Sequence, residues 1–544
     1  PRYRARRIST AAAAMVAQAS LRPSTISNLR GHRPVQKSSL VIVYHRQPYE
    51  EAEEDGKTVY RANKSPNGIV PTLKAFFKRL EPGRGAWVAW KEHEPGDPDF
   101  ERVIHIDDDS AGGGFHVRRL PLTKRQSSSF YHVTSKEAFW PVLHSFPWLF
   151  SYDNVDWRTF HEVNRLFAEA AAEQADEGAL VWIHDYNLWL VPHYLRQLRP
   201  DVKIAFYHHT PFPSQDVFNI LPWRSEILGS LLDCDLVGFH IPRYAKNFTD
   251  VARGLTGATI SEVADTPIHM NVPGQALSEP QMPLTLKLGG REIAIDASPV
   301  GADVHLIDDI LDKQDTTDLE DRILGRLDGR RLIVTVGRTD YTKGTIEALK
   351  GFERLIDRRP DLRGTIKMLC VSVRAASGMA IYDETQKEIE QLVGRVNGLY
   401  SNLGWTPIVL YSNAIPFDRL MSYYRAADIC ITTPLRDGLN LVAKEFVAAK
   451  NGAPGKLILS EFAGCAVELP EAIYTNPYGH RDLDRAIDEA LAMDDEVAEG
   501  RMRRMRADVE NYDIGHWIDS LYASFARVGF EAKKESGSPA QAAA

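Results

Sequence analysis

Thr433-Pro434-Leu435-Arg436-Asp437-Gly438-Leu439-Asn440-Leu441-Val442-Ala443-Lys444-Glu445 decides how this chain is read. It follows Ile429-Cys430-Ile431, an apolar run short enough for a buried strand. Pro434 and Gly438 bracket a turn. Beyond it, Leu439, Val442, Ala443 and Phe446 recur at helical spacing. The layout is strand, loop, helix. It puts Asp437 and Gly438 at a helix N-terminus, where free N–H groups and the helix dipole attract anions. Glu445 lies two turns further on, placed for hydroxyls rather than phosphate. Exposed amides, one carboxylate at the mouth and another further in suit a sugar nucleotide. An ordinary βα turn with a surface aspartate fits the same residues.

The same pattern of apolar run and polar end recurs upstream. Residues 180–183 end in His184-Asp185-Tyr186, residues 202–207 in His208-His209-Thr210-Pro211, and residues 236–239 in His240. Open α/β sheets bind ligands at the carboxyl ends of their strands. Three such ends with helical patterns between them predict a doubly wound parallel sheet, and Asp185 and His209 at equivalent ends point to its site. Residues 39–44 and 85–90 read as further strands, the first followed by His45-Arg46. A turn-rich β-hairpin excursion at 255–300 leads to a boundary within 304–328.

The second half repeats the alternation. Residues 332–337 form a strand, followed by Arg338, then Asp340-Tyr341-Thr342-Lys343-Gly344 and a helix. Arg338 and Lys343 flank one loop at a strand's carboxyl end. Two cations there neutralise a diphosphate, the arginine through its planar fork and the lysine as a point charge. A surface salt-bridge pair is the alternative. The spacing of a Walker loop is absent. Strands at 365–372, 408–410, 428–432 and 457–460 and helices over 483–524 complete a second Rossmann-like half.

Other stretches read less sharply. Gly68, in the turn Ser65-Pro66-Asn67-Gly68 before a helix over 70–80, lets a ligand approach the backbone or serves the turn alone. Glu50, Glu51, Glu53, Glu54 and Asp55 read as a solvated acidic loop. Asp107, Asp108 and Asp109 can hold a divalent metal, but a charged hairpin tip before Gly112-Gly113-Gly114 accounts for them better. Phe130-Tyr131-His132 and Phe139-Trp140 form an aromatic cluster, suited to core packing or to a sugar ring.

Composition closes off other classes. The chain has 544 residues, 44% of them apolar, as in globular proteins. A net charge of −8 gives no sign of a nucleic-acid partner. Four scattered cysteines without a C-x-x-C point to a reducing, cytoplasmic setting and to neither a disulfide framework nor a zinc site. No apolar run reaches membrane length. Residues 1–36 hold seven arginines and no acidic residue. Residues 1–37 are set aside as a basic, disordered leader, with a transit peptide as the alternative, and 533–544 as a disordered tail. Neither a Ser-His-Asp order nor a G-x-G-x-x-G stands out, against hydrolase and NAD readings, and no cofactor or metal is expected.

Taken together, Arg338 with Lys343, His184-Asp185-Tyr186, His209-Thr210-Pro211-Phe212-Pro213, Leu221-Pro222-Trp223-Arg224, Gly238-Phe239-His240 and the stretch from Pro434 to Glu445 resemble the trehalose-6-phosphate synthase family, glycosyltransferase family 20. The resemblance covers residues 38–530. It implies the GT-B fold, with an acceptor lobe over 38–305, a nucleotide-sugar lobe over 306–510 and a helix over 511–532 returning to the first lobe. It implies a retaining, metal-independent transfer of glucose from a nucleotide sugar to a phosphorylated acceptor. Val43-Tyr44-His45-Arg46-Gln47-Pro48-Tyr49, Ser65-Pro66-Asn67-Gly68-Ile69, Thr134-Ser135-Lys136-Glu137-Ala138-Phe139-Trp140, His208-His209-Thr210-Pro211-Phe212-Pro213 and Ala375-Ala376-Ser377-Gly378-Met379 resemble one branch. That branch joins glucose from ADP-glucose to glycerol 3-phosphate, making glucosylglycerol phosphate, the precursor of a compatible solute used in osmotic stress. Trehalose 6-phosphate synthesis from UDP-glucose and glucose 6-phosphate is the alternative.

The resemblance also implies roles. Asp185, His209, Arg338 and Lys343 form the catalytic set. Arg338 and Lys343 grip the donor diphosphate, Glu445 holds the donor ribose, and His209 contacts the transferred glucose. Asp437 and the amides of Gly438, Leu439, Asn440 and Leu441 hold glucose hydroxyls and phosphate, and Gly68 admits the phosphate. Arg46, Trp90, Tyr131, Trp140 and Asp185 face the acceptor. One departure matters: a phosphate-binding arginine of the family, six residues before the tyrosine matching Tyr382, is Ala376 here. Losing a charged contact removes ~1.5–3 kcal/mol, so glucose 6-phosphate should fit poorly, with Arg46 and Arg374 left as candidate anchors. The glycine pair usual before the first helix is Asn67-Gly68. The donor base stays open, as does a homo-oligomer.

Overall fold

Short runs of β-branched and apolar residues fold into strands that are covered on both faces. In β1 (Ser38–Val43) Leu40, Val41, Ile42 and Val43 are all fully buried, which a strand inside a parallel sheet requires. The computed structural model describes residues 37–54, 57–62, 69–97, 100–374 and 379–531, all within one compact unit. Residues 1–36 of the basic leader, the tail beyond 531, Gly68 and Ala376 lie outside the described residues.

The first sheet has ten strands. After β1 come the hairpin β2 (Tyr49–Glu54) and β3 (Lys57–Ala62), which pair only with each other, then β4 (Gly85–Glu92), β5 (Val103–Ile106), β6 (Phe115–Leu122), β7 (Ala175–His184), β8 (Lys203–Tyr207), β9 (Leu236–Phe239), β10 (Thr259–Asp265), β11 (Gln281–Leu288) and β12 (Arg291–Ala297). The order is β10-β11-β12-β9-β8-β7-β1-β4-β6-β5. The chain winds outward from β1 through β4 and β6 on one side, and through β7, β8 and β9 on the other. The direction reverses between β1 and β7. The second sheet is wholly parallel: β13 (Arg331–Arg338), β14 (Ile366–Val373), β15 (Ile408–Tyr411), β16 (Ile429–Thr432), β17 (Lys456–Ser460) and β18 (Ile473–Thr475), in the order β15-β14-β13-β16-β17-β18. It reverses between β13 and β16. Such reversals open a crevice outside the carboxyl ends of the strands.

Several expectations are corrected. The acidic stretch after Tyr49 is a strand, and Glu51 faces Lys91 and Arg119. The expected helix over 70–80 breaks into a helix at Ile69–Lys74 and a tighter turn at Ala75–Arg79. The tightening lets two consecutive phenylalanines be buried apart, Phe76 against Trp182 and Phe77 against Phe115. The excursion after residue 255 is three strands, the last of which turns parallel to β9 and extends the main sheet. The connection holding Asp107 and Asp109 is structural at its centre: Asp108 pairs with Lys74 at 2.7 Å and caps a short turn through Ser110.

The last helix, Ile514–Arg527, lies on the first sheet. The indole of Trp517 donates to the Ser298 carbonyl at 2.9 Å, and its ring meets Phe76, Trp182 and Tyr207. No helix among the described residues is long and apolar enough to cross a membrane.

Candidate active site

The first wall of the site is made by the ends of β1, β7 and β8. Asp185, just past β7, has φ 69° and ψ 162°, a region that side-chain-bearing residues rarely enter and that marks functional sites. Its N–H donates to the Tyr207 carbonyl at 2.9 Å, and the Thr210 hydroxyl donates to its carboxylate at 3.3 Å. Burial pushes its carboxyl up to about 6, against the opposing pull of the Tyr186 amide, Lys136 and Thr210. His209 stacks on His184 with centroids 5.3 Å apart, and His184 Nδ1 lies 3.1 Å from His209 Nε2. Burial, reinforced by His184 and His240, holds the His209 imidazole well below its usual range. It is a neutral hydrogen-bonding group.

Ser128–Phe139 closes this wall as a wide helix in which the Trp140 N–H reaches back five residues to the Ser135 carbonyl. Such helices are rare and gather at functional sites. In an ordinary helix two residues five apart point about 140° from each other. Here Tyr131 and Lys136, with Trp140, line one cavity. The Tyr131 phenol faces the Arg46 guanidinium, and Lys136 Nζ lies 3.7 Å from the centroid of Trp140. Burial and the nearby Arg338, partly offset by Asp340, bring the Lys136 ammonium down to about 7. No residue pattern in the sequence marks Lys136 for a role. Its one signal was its place in the stretch from Thr134 to Trp140.

The second wall is made by the ends of β13 and β16. Gly344 has φ 67°, and a Cβ there would sit 1.6 Å from the Thr433 carbonyl oxygen, so only glycine lets these two loops meet. The contact brings Lys343 Nζ to 2.7 Å from Asp437. Asn440 donates to the same carboxylate at 3.1 Å and accepts from the Ala443 N–H, capping the helix Leu441–Lys450. That helix starts later than its sequence pattern implies: Asp437, Gly438 and Leu439 precede the cap and shape the loop before it. Burial opposes ionisation of Asp437, yet Lys343 and Asn440 hold its carboxyl below the usual range. Arg338 remains exposed, 3.8 Å from Asp340. Glu445, inside the helix, is lifted by burial to about 7.

The walls touch. A Cβ on Gly438 would lie 2.4 Å from the His209 carbonyl oxygen, and the Tyr244 hydroxyl donates to the Asp437 carbonyl at 2.9 Å. Two cavities meet at this contact. One, of 190 Å³, lies against the first wall and includes Arg46, Tyr131, Lys136, Trp140, Asp185 and His209. The other, of 410 Å³, lies against the second sheet and includes Asn440, Leu441 and Glu445. Arg338, Lys343 and Asp437 line both.

Three of the described sequence-derived residues line neither cavity. Trp90 is half-buried on β4, where its carbonyl accepts from Gln47 at 2.9 Å, and it lines neither cavity. Arg374 turns outward to Glu390 at 2.5 Å and is solvent-exposed. Leu439 is buried behind the loop. Among the described residues no group of three His, Cys, Asp or Glu side chains is set to hold a metal ion.

The model of glycosyltransferase family 20 matches residues 38–527. A glucosylglycerol-phosphate synthase of Synechocystis sp. is 53% identical over 485 residues, 89% of this chain and 96% of that protein. The enzyme of the same name from Picosynechococcus sp. is 49% identical over 488 residues, 89% of this chain and 97% of that protein. A solved structure described as trehalose-6-phosphate from E. coli bound with UDP-2-fluoro glucose superposes with a TM-score of 0.76 at 27% identity, covering 91% of this chain and 100% of that one.

Proposed function

The chain belongs to glycosyltransferase family 20 and has the GT-B fold, and from that footing we propose that it moves glucose from ADP-glucose to glycerol 3-phosphate, with retention at the anomeric carbon, giving glucosylglycerol phosphate and ADP. That it is a glucosyltransferase of this family follows from its relatives; the donor, the acceptor and the stereochemistry are the proposal. The observation that carries it is the junction of two cavities at Arg338, Lys343 and Asp437. The larger cavity, with Glu445 at its inner wall, suits a nucleoside whose diphosphate reaches the two cations. The smaller one, with Arg46, Tyr131 and Asp185, suits a short phosphorylated alcohol. The branch resemblance and the names of the 53% and 49% identical relatives support glycerol 3-phosphate. So does Ala376, whose methyl brings no charge where the family has a phosphate-binding arginine.

In the proposed reaction the bond between glucose C1 and the phosphate oxygen breaks, and its electron pair goes to the diphosphate. Arg338, Lys343 and the amides after Asp437 stabilise that charge as it develops. The acceptor hydroxyl attacks C1 from the face the diphosphate leaves, and its proton passes to the departing phosphate oxygen. No protein nucleophile is invoked: Asp437 is bound by Lys343 and Asn440, and Asp185 lies on the acceptor side. Contact between the walls excludes water and so limits donor hydrolysis. The four cysteines are buried free thiols, which suits the proposed cytoplasmic setting.

The structural neighbour with UDP-2-fluoro glucose keeps a second reading in view, trehalose 6-phosphate synthesis from UDP-glucose and glucose 6-phosphate. A donor-by-acceptor matrix separates the two: ADP-, UDP- and GDP-glucose against glycerol 3-phosphate and glucose 6-phosphate. Turnover of ADP-glucose with glycerol 3-phosphate, undiminished by a chelator, is expected. Turnover with glucose 6-phosphate alone would replace the reading.

A further inference from the structure

Lys136 is a cation in the wrong place for a free protein. Its residue is 8% exposed, yet among the described residues it makes no ion pair. Its ammonium rests on the faces of Trp140 and Tyr131, 3.7 and 5.8 Å from their centroids. The charged groups that face it are Arg338, Asp340, Arg46 and Asp185, and the neutral His45 lies beside it. Asp340 is already turned to Thr342 and Arg338, and Asp185 to Thr210. A buried charge without a partner is costly. The cost is incurred on a wide helix, itself a rare conformation, and the wide turn is what aims Lys136 and Tyr131 into one cavity. The other wall does not need it for the diphosphate, since Arg338 and Lys343 stand there.

We propose that Lys136, with Arg46 beside it, binds the phosphate of the acceptor and selects for a short phosphorylated alcohol; the assignment rests on the glucosyl-transfer reading above. Arg46 is exposed at the cavity mouth and faces Tyr131. The two cations line the small cavity together with Asp185, whose carboxylate is left to meet a hydroxyl. A glycerol-sized acceptor then spans the cavity with its phosphate on the first wall and its hydroxyl toward the junction. Because Lys136 is half neutral near pH 7, entry of a phosphate dianion draws a proton from solvent onto its amine. Acceptor binding is therefore coupled to proton uptake.

The test uses the full chain and its Lys136→Met and Lys136→Arg variants. With glycerol 3-phosphate as the probe, Lys136→Met should raise the acceptor KM about 10–100-fold, the worth of a charged hydrogen bond, with donor KM within twofold. Lys136→Arg should restore most of it. In the wild type the acceptor KM should rise with pH above 7, and binding heats should differ between buffers of different ionisation enthalpy. Both effects should vanish in Lys136→Met. The methionine variant should melt no lower than the wild type, since a burial cost is removed. An unchanged acceptor KM, equal rises in donor and acceptor KM, or proton uptake persisting in Lys136→Met would each overturn the assignment. If Lys136→Met does not fold, loss of the wild type's pH dependence in Lys136→Arg is the supporting result, and its persistence unchanged overturns the proposal. If the wild type instead uses glucose 6-phosphate, the acceptor reading falls. Lys136 is then judged by the same ratio with that phosphate.

Discussion

The two walls of the cleft are the same construction with opposite chemistry. Each sits where a parallel sheet reverses its winding, β1 against β7 in one lobe and β13 against β16 in the other. The first wall is desolvated. Asp185 titrates near 6 and His209 is held neutral. The second keeps its charges: Asp437 is ionised by Lys343, and Arg338 stays open to solvent. Buried hydrogen-bonding groups discriminate hydroxyls, because a site built to pair with an OH leaves polar atoms stranded when it is missing. Fixed cations serve a phosphate whose charge grows during the reaction. Topology supplies the place, and burial decides which chemistry it supports.

The largest test of that contrast is Lys343→Ala. If the second wall stabilises the leaving diphosphate, kcat should fall by ~10²–10³-fold, measured as nucleoside diphosphate release under saturating donor and acceptor. Circular dichroism should be unchanged. Activity within a few-fold of the wild type would take the second wall out of the chemistry.

Asp185→Asn probes the first wall. Asp185 has its native value raised above the unfolded one of about 3.9. Its contribution to stability is therefore present below pH 4 and lost as pH rises through 6. Removing the charge should stabilise the protein by about 1–3 kcal/mol at pH 8, a gain that shrinks toward zero by pH 4. Activity should move the other way, with kcat over acceptor KM down about tenfold or more at pH 8 and the wild type's fall below pH 6 no longer visible. Urea denaturation at pH 8 and pH 5, beside acceptor kinetics, reads both. Equal stabilities at the two pH values would show that burial does not set the character of this wall.

How far the contrast could be read from sequence follows from how each residue is placed. Asp185, His209, Arg338 and Lys343 stand at or just after the ends of apolar strands, so the strand pattern alone locates them. Asp437 was legible as loop chemistry, but its helix starts after Asn440, because a side-chain cap, not the apolar spacing, sets the boundary. Lys136 was not legible as a cavity residue, because helical spacing turns it away from Tyr131 and only the five-residue reach brings the two together. The hairpin at Tyr49 reads as loop because its glutamates dominate, while its pairing with β3 is invisible locally. Contacts such as Tyr244 with Asp437, or Gly438 with His209, join distant parts of the chain and leave no local trace.

Glu445→Gln sharpens the comparison inside the second lobe, where one carboxyl behaves like those of the first. Burial lifts it to about 7, so the carboxylate is present above that value and is lost as pH falls through it. If it accepts hydrogen bonds from donor hydroxyls, donor KM in the wild type should fall between pH 6 and 8. The glutamine variant should show a donor KM about tenfold higher at pH 8 and no such slope. A pH-independent donor KM in the wild type would leave Glu445 without a role in donor binding.

The smallest effect is expected from Arg374→Ala, and it separates position in sequence from position in the cleft. Arg374 and Arg338 each close a neighbouring parallel strand, β14 and β13, so the sequence makes both look like anion anchors. In the structure their guanidinia part company. Arg338 lines both cavities, whereas Arg374 is exposed and paired with Glu390, itself held by Gln386 on the outer helix. An exposed pair of this kind contributes about 0–1 kcal/mol. Removing it should leave kcat and both KM values within about twofold and lower Tm by no more than a few degrees. A selective rise in acceptor KM would mean that Arg374 leaves Glu390 and swings inward when the acceptor binds. The acceptor phosphate would then be shared between the two lobes, and Lys136 and Arg46 on the first wall would no longer hold it by themselves.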